Sequence, residues 1–389
     1  MKIALVHKQF TLRGGTERYL VGLACYLADR EHEVHVFCDK VDPVLSGIRG
    51  IKFHKLRIPR LGGFVKVLGF WLTALRNVKS ADFDVVHGFG RTTGHHLLRA
   101  GGGCHKAYFL GVLARAKTAW ERFRLRFDPR QWLMLWIERR QLSDPATRKL
   151  MVVSARSRQE LETHYPVREG LLQVVHNGVD TQRFHPKNRR LFFLEAREEF
   201  HLVPEDTVML FVGGDFERKG LDSAIRVLAA LQERSDLKLL VVGHDRRFER
   251  FMGLAQQLGV LEQVHLTGVL DRIERVYATA DLLLLPTRYD PFANVTLEAL
   301  ASEVPVVTTG TNGAAEVLGS CESVSIIEDP EDVEGMVSAV RAFLDHPDQE
   351  RLRKAAREAA LQNRDEDNYR EVESIYRQIA AGGSRKARP

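Results

Sequence analysis

The stretch from Asp281 to Leu300 constrains the fold more than any other part of the chain. Leu282–Leu285 is a continuous apolar run of strand length, as expected of a strand covered on both faces, and Pro286 cannot continue it. An acidic loop runs to Phe292, and from Val295 onward the apolar spacing is helical. Strand, loop and helix in this order make a ligand-binding crossover. The loop carries Asp290 and the helix carries Glu298. A helix that begins near Ala293 or Asn294 directs free N–H groups above the sheet, with Glu298 about one turn further in. A carboxylate only accepts hydrogen bonds, so it suits the hydroxyls of a polyhydroxylated group, and a bidentate carboxylate–diol pair is charge-assisted. A surface loop before an amphipathic helix would carry the same two acids, with Glu298 simply solvated.

The remaining chain repeats this rhythm. Met1-KIALV reads as a strand, and Gly14 and Gly15 precede a helix expected to start near Thr16, where backbone N–H groups can approach a ligand. Glu31-HEVHVFC and Asp82-FDVVHGFG follow as strands. The polar stretch His185–Arg190 is the candidate hinge, after which the pattern restarts with Val208-MLFVGG, Leu237-KLLVVG, Val264-HLTG and Val304-PVVTTG. The expectation is an α/β protein with two Rossmann-like, doubly wound domains, 1–186 and 187–360, and a helix with a basic tail over 361–389 that can pack back on the first domain. Gly213-GDFERKG has glycines at the wrong offsets for a dinucleotide fingerprint, which disfavours nicotinamide chemistry. Asp365-Glu-Asp367 is a literal DxD on a charged helix and is expected to be solvated.

Composition narrows the setting. The 389 residues carry 57 Lys and Arg against 51 Asp and Glu, a net charge of +6. Cys25, Cys38, Cys104 and Cys321 are scattered without ligand spacing and read as reduced thiols, and no metal cluster is visible. The first residues lack a signal-peptide core and no apolar run reaches bilayer length, so the expected location is cytoplasmic. Arg60–Asn77 and Leu113–Arg140 interleave aromatic residues (Trp71, Trp120, Phe123, Phe127, Trp132, Trp136) with Arg60, Lys66, Lys117, Arg122, Arg124 and Arg126. Such helices lie in an anionic membrane interface, or pack on the sheet with their basic residues solvated. No signature for nucleic acid is present.

Gly213-GDFERKGLDSAI, Val241-VGHD, His265-LTG, Asp290-PFANVTLEAL, His176-NGVD and the Gly14-Gly15 loop together resemble the retaining glycosyltransferases of family 4, which have the GT-B fold of two Rossmann-like domains facing a central cleft. The resemblance covers nearly the whole chain. The Asp-Phe-x-Arg-Lys-Gly run looks most like the branch that transfers glucose from UDP-glucose to an inner-core heptose of lipopolysaccharide. It implies that Arg218 and Lys219 clamp the donor diphosphate, that Asp290 holds donor-sugar hydroxyls, and that Glu298 accepts from the ribose. The amides of Phe292, Ala293 and Asn294 would face sugar and phosphate, Gly14 and Gly15 would approach the diphosphate, and His105 in Gly101-GGCH would lie near the reacting sugar. Asp290 replaces the family's usual Glu and Ala293 its usual Gly, which leaves the donor sugar open. Two cations at the diphosphate make a metal unnecessary, so no cofactor beyond the donor is expected. The expected partners are a nucleotide sugar, a glycan or glycolipid acceptor and an anionic membrane surface. Alternatives are a family 4 enzyme that uses GDP-mannose or UDP-N-acetylglucosamine on another acceptor, a nucleotide-sugar epimerase, and a non-catalytic binding protein.

Overall fold

The computed structural model describes residues 1–59, 62–116 and 118–384. Arg60, Lys117 and the basic terminus beyond Ser384, all part of the expectations above, lie outside the described residues. The chain forms two compact units, Met1–His176 with Asn368–Pro389, and Asn177–Asp367.

The first unit contains β1 (Lys2–Val6), β2 (Gln9–Phe10), β3 (Glu33–Cys38), β4 (Lys40–Val41), β5 (Ile51–Lys55), β6 (Val85–Phe89), β7 (Leu97–Ala100), β8 (Lys149–Val152) and β9 (Leu172–Val174). Seven of these form one parallel sheet in the order β5-β3-β1-β6-β7-β8-β9, while β2 and β4 pair separately. Ile3, Ala4, Leu5 and Val6 of the central β1 are wholly buried, as both faces of a parallel sheet require. Strand order reverses between β1 and β6, and the crevice beyond the carboxyl ends of strands at such a point is where ligands sit. Arg99 interrupts the apolar pattern of β7, and the sequence does not mark that strand.

The helices of this unit are α1 (Gly15–Asp29), α2 (Gly63–Asn77), α3 (His105–Arg115), α4 (Ala119–Arg126), α5 (Pro129–Ser143) and α6 (Ala155–His164). Helix α1 starts one residue earlier than the sequence suggests. Gly14, at φ +99°, is its N-cap, and Thr16 lies within the first turn.

The second unit begins with α7 (Lys187–Glu199), into which the expected hinge His185–Arg190 runs. It continues with β10 (Thr207–Val212), α8 (Phe216–Lys219), α9 (Leu221–Ala230), β11 (Leu237–Val242), α10 (Phe248–Gln257), β12 (Val264–Gly268) and α11 (Glu274–Tyr277). Then come β13 (Leu282–Leu285), α12 (Asn294–Ala301), β14 (Val306–Thr309), α13 (Ala315–Leu318), β15 (Val324–Ile327), α14 (Val333–Leu344) and α15 (Gln349–Leu361). Its sheet is parallel in the order β12-β11-β10-β13-β14-β15, and the order reverses between β10 and β13.

Helix α16 (Asp365–Ser384) starts in the second unit and continues in the first. It is more than a charged tail. Tyr369, Val372, Ile375, Tyr376 and Ile379 recur at helical spacing and are buried in one core with Tyr19, Leu20, Leu23 and Leu27 of α1. At its start, Asp365 is half-buried rather than solvated. Burial and the neighbouring Asp180 carboxylate push its carboxyl up to about 6.

Tyr376 also carries the polar link of this packing, with its hydroxyl 2.7 Å from Nδ1 of the fully buried His87. Burial and the charges of Arg99 and His95 hold His87 well below the usual histidine range, so it is neutral at pH 7. Tyr376→Phe leaves Nδ1 unsatisfied and should destabilise the first unit by about 1–3 kcal/mol. All four tryptophans lie in that unit, so urea unfolding followed by tryptophan fluorescence reports on it alone. An unchanged midpoint would remove this hydrogen bond from the account of α16.

Candidate active site

The reversal point of the second sheet brings the end of β10 and the end of β13 together. Asp215, in the left-handed region at φ +55°, caps α8 by accepting from the Arg218 N–H at 3.4 Å. Gly220 ends α8 at φ +81°, and a Cβ there would stand 2.0 Å from the carbonyl oxygen of Pro286. Only glycine permits this approach, which seats the loop after β13 against α8. Arg288 N–H and Thr287 Oγ1 both donate to the Arg218 carbonyl, at 2.8 and 3.2 Å. The Arg288 guanidinium forks onto Asp222 at 2.8 and 2.9 Å and reaches Glu331 at 2.6 Å. Burial pushes the Asp222 carboxyl up, but the hydrogen bond and charge of Arg288 outweigh it and hold the group below its usual range.

This lock fixes a charged centre. Lys219 Nζ lies 2.5 Å from Asp290 Oδ2, and Arg218 Nη1 donates to the same oxygen at 3.1 Å and to the Tyr289 carbonyl at 2.8 Å. Lys219 and Asp290 are both buried. Burial raises the Asp290 carboxyl, but the charges of Lys219 and Arg218 outweigh it, so the group is ionised with its pKa below the ordinary value. Arg218 Nε also pairs with Asp215 Oδ2 at 3.3 Å, so two cations and two carboxylates gather here, of which Asp290 is the buried one.

The loop into α12 departs from expectation at its amides. The Phe292 N–H donates to Asp290 Oδ1 at 3.1 Å and the Ala293 N–H to Asn312 Oδ1 at 3.0 Å. Both are therefore bound inside the protein instead of facing a ligand. Asn294 begins α12, and its Oδ1 accepts from Asn177 at 2.7 Å. Glu298 is buried, and its Oε2 accepts from the Tyr277 hydroxyl at 2.9 Å, so it is not a solvated surface acid.

Gly14, Gly15 and His105 belong to the first unit. The Glu17 carboxylate lies over Gly14, where a Cβ would come 2.4 Å from Oε2, and pairs with His7 Nε2 at 3.3 Å. The first turn of α1 thus holds the protein's own carboxylate. His105 is the first residue of α3. Its N–H donates to Glu138 Oε1 at 2.7 Å and its Nε2 is 2.8 Å from Gln131 Oε1. Burial, then the Arg91 charge, lowers the His105 pKa against the opposing Glu138, so the ring is neutral at pH 7. Glu138 also receives the Lys106 N–H at 3.1 Å, Arg91 at 3.1 Å and the Tyr165 hydroxyl at 2.7 Å.

The structure thus joins Arg218, Lys219 and Asp290, and it buries Glu298 on α12 against Tyr277. Tyr277, Arg288, Asn312, Glu138, Arg91 and Arg99 were not marked in the sequence. Asn312 alone had a visible signal, a Thr-Asn-Gly turn directly after the run Val304–Gly310. Among the described residues no group of three or more His, Cys, Asp or Glu side chains is arranged to hold a metal ion, and no helix is long and apolar enough to cross a membrane.

Comparison with known proteins agrees with this architecture. The Glycosyltransferase Family 4 model matches residues 13–183, and the Glycosyl transferases group 1 model matches residues 193–360. The chain belongs to the glycosyltransferases built from these two domains. It is similar to the lipopolysaccharide glucosyltransferase WaaG of Escherichia coli strain K12, at 26% identity over 340 residues, covering 85% of this chain and 86% of the relative. The crystal structure of WaaG matches with a TM-score of 0.80 at 23% identity, over 96% of this chain and 99% of that one. Anabaena HepE in complex with UDP-glucose matches with a TM-score of 0.67 at 17% identity, over 99% of each chain. Both structures share the fold, two parallel α/β domains of the GT-B type.

Removing one member of the charged centre should be costly. Asp290→Ala strands Lys219 in a buried position and should lower stability by about 3–5 kcal/mol, whereas Lys219→Met with Asp290→Leu should recover most of the loss. Because the folded Asp290 pKa is depressed, its contribution is present above the unfolded value near ~3.9 and is lost as pH falls through the lower folded value. Guanidinium unfolding of wild type and variants between pH 7 and pH 3, read by circular dichroism, checks both points. Equal destabilisation by Asp290→Ala at both ends of that range would contradict the ion pair.

Proposed function

We propose that the chain is a retaining, metal-independent hexosyltransferase that moves glucose from UDP-glucose to a membrane-held saccharide, the inner-core heptose of lipopolysaccharide. The observation that carries this reading is the gathering of Arg218 and Lys219 on buried Asp290 at the switch point of the second sheet. The relatives named for a lipopolysaccharide glucosyltransferase and for a UDP-glucose complex support the choice of donor and acceptor.

The residues divide the work as follows. Arg218 offers a planar fork and Lys219 a point charge to the diphosphate, and both interactions strengthen as negative charge grows on the leaving group. Asp290 holds the two cations in register and accepts from donor-sugar hydroxyls. Glu298, steadied by Tyr277, accepts from the ribose, and Phe292, Ala293 and Asn294 shape the donor contact. Within the first unit, Gly14 and Gly15 are assigned to a phosphate approach and neutral His105 to a sugar hydroxyl. The acceptor oxygen forms its bond to the anomeric carbon on the face from which the diphosphate departs. As the carbon–oxygen bond to the phosphate breaks, its electron pair stays on UDP, and the acceptor proton passes to the departing phosphate oxygen. Orientation and charge stabilisation, with no protein nucleophile, then account for retention.

The membrane half of the reading rests on α4 and α5. Trp120, Phe123, Phe127 and Trp132 are exposed, with Arg124 stacked 5.2 Å from the Trp120 ring centre and Arg140 5.2 Å from that of Trp136. Aromatic rings with snorkelling guanidinium groups suit an anionic headgroup layer on the cytoplasmic side.

Calorimetry should show UDP binding in preference to GDP and ADP, unaltered by EDTA and lost in Glu298→Ala. Lys219→Ala should lower turnover about 100-fold or more while the protein stays folded. Product of inverted anomeric configuration would sink the retaining mechanism, and isomerised donor without acceptor would favour an epimerase. Trp120→Ser with Phe123→Ser should weaken sedimentation with vesicles containing phosphatidylglycerol, and unchanged sedimentation would sink the membrane assignment.

A further inference from the structure

Asn312 is buried in the loop between β14 and α13. Its Oδ1 accepts from the Ala293 N–H at 3.0 Å and from the Ala314 N–H at 3.1 Å. Its Nδ2 donates to Thr308 Oγ1 at 3.2 Å, and that hydroxyl donates in turn to the Leu285 carbonyl at 3.0 Å. The neighbours therefore fix which end of the side chain faces which way, and a carboxamide supplies both the acceptor and the donor that they require.

Both accepted N–H groups belong to helix starts. Ala293 is the N-cap of α12 and Ala314 that of α13, and an alanine has no side-chain oxygen with which to cap. One oxygen of Asn312 thus joins the beginnings of two helices from consecutive crossovers. The backbone on either side of it grips the same loop. The Thr311 carbonyl accepts from the Asp290 N–H at 3.2 Å, and the Gly313 N–H donates to the Asp290 carbonyl at 2.8 Å. Thr309 Oγ1 donates to the Thr287 carbonyl at 2.6 Å, and Thr311 Oγ1 donates to the same oxygen. Residues 309–313 therefore bind the loop after β13 at Thr287, Asp290 and Ala293. Of these contacts, the bond to Ala293 is the one that reaches the start of the helix carrying Glu298.

We propose that Asn312 is a positioning residue of the donor site, which sets Asp290 and Glu298 relative to one another by tying the Asp290 loop and the start of α12 to the end of β14. What the two acids bind rests on the transferase reading above. Without the carboxamide the start of α12 is free to shift against Asp290, and a displacement of about 1 Å is enough to lower activity about 100-fold.

Asn312→Ser separates the long tie from the local turn. A serine hydroxyl replaces the turn bond to Ala314, but it is one bond shorter than the carboxamide and falls short of Ala293. Asn312→Ala is the second variant. Thr308→Val removes the partner of Nδ2, leaves Oδ1 its two N–H groups, and is the packing control. Calorimetry on the full chain with UDP-glucose should show affinity about 10-fold or more weaker in both Asn312 variants and within about twofold of wild type in Thr308→Val. Melting by circular dichroism checks that each variant is folded at the titration temperature. A second readout needs no donor. Guanidinium unfolding should show a smaller midpoint shift for Asp290→Ala in the Asn312→Ser background than in wild type, because members of one hydrogen-bond network are not additive. Unchanged UDP-glucose affinity in Asn312→Ser, an equal loss in Thr308→Val, or equal midpoint shifts in the two backgrounds overturns the proposal. If wild type binds no UDP-glucose and the midpoint shifts still differ, the donor reading falls while the positioning of Asp290 holds.

Discussion

The buried contact between Lys219 and Asp290 is the interaction on which the second unit is arranged. Desolvating an ammonium and a carboxylate is unfavourable, and their attraction repays it only when geometry is good and further hydrogen bonds satisfy the remaining oxygens. Those conditions explain the surroundings. Arg218 shares Oδ2, the Phe292 N–H takes Oδ1, and the Tyr289 carbonyl steadies Arg218. Gly220 lets the two loops touch, and the fork of Arg288 on Asp222 holds them there. Under the proposed function the site binds a diphosphate and needs its cations positioned before the ligand arrives, and an internal carboxylate supplies that preorganisation.

The same topological reason places chemistry in both units. In each sheet the strand order reverses once, between β1 and β6 or between β10 and β13, and the loops after those strands diverge to leave room for a ligand. In the second unit the room is flanked by Arg218, Lys219 and Asp290, in the first by Arg91, Arg99 and Glu138. Each set has two basic groups and one buried carboxylate. The carboxylate of the second unit is bound mainly to cations, while that of the first is bound mainly to backbone and hydroxyl donors and caps α3.

Local signals were legible where side-chain type and spacing determine the element. Leu282–Leu285, Pro286 and the helical spacing after Val295 announced β13, its loop and α12, and the repeated rhythm announced two parallel sheets. Arg218, Lys219 and Asp290 were legible as a set through family resemblance. Their mutual ion pairing was not, because residues 71 and 72 positions apart meet only through the sheet order. The amides of Phe292 and Ala293 were misread for a related reason, since their acceptors include Asn312 from the following crossover. Strand β7 escaped because an arginine in a strand is disfavoured unless the fold supplies a use for it. The stripe on α16 was present in the sequence but was masked by the charged residues around it, and what it packs against is some 350 positions earlier in the chain, as the Tyr19–Asn368 hydrogen bond shows.

Helix α5 shows how one element can serve two environments. Trp132 and Trp136, one turn apart, point outward, while Leu133, Ile137, Glu138, Gln141 and Leu142 are buried. A period of 3.6 residues separates these faces, so an exposed aromatic row and a buried carboxylate can sit on the same few turns without competing. The backbone of α5 therefore links the exposed Arg–aromatic surface to the Glu138 centre through rigid covalent geometry. Under the proposed function, a headgroup layer that fixes the orientation of α5 also fixes the first unit relative to the membrane. Under that function the exposed rings and guanidinium groups of α4 and α5 would hold the unit at the headgroup layer, while the buried face of α5 keeps the Glu138 centre in place.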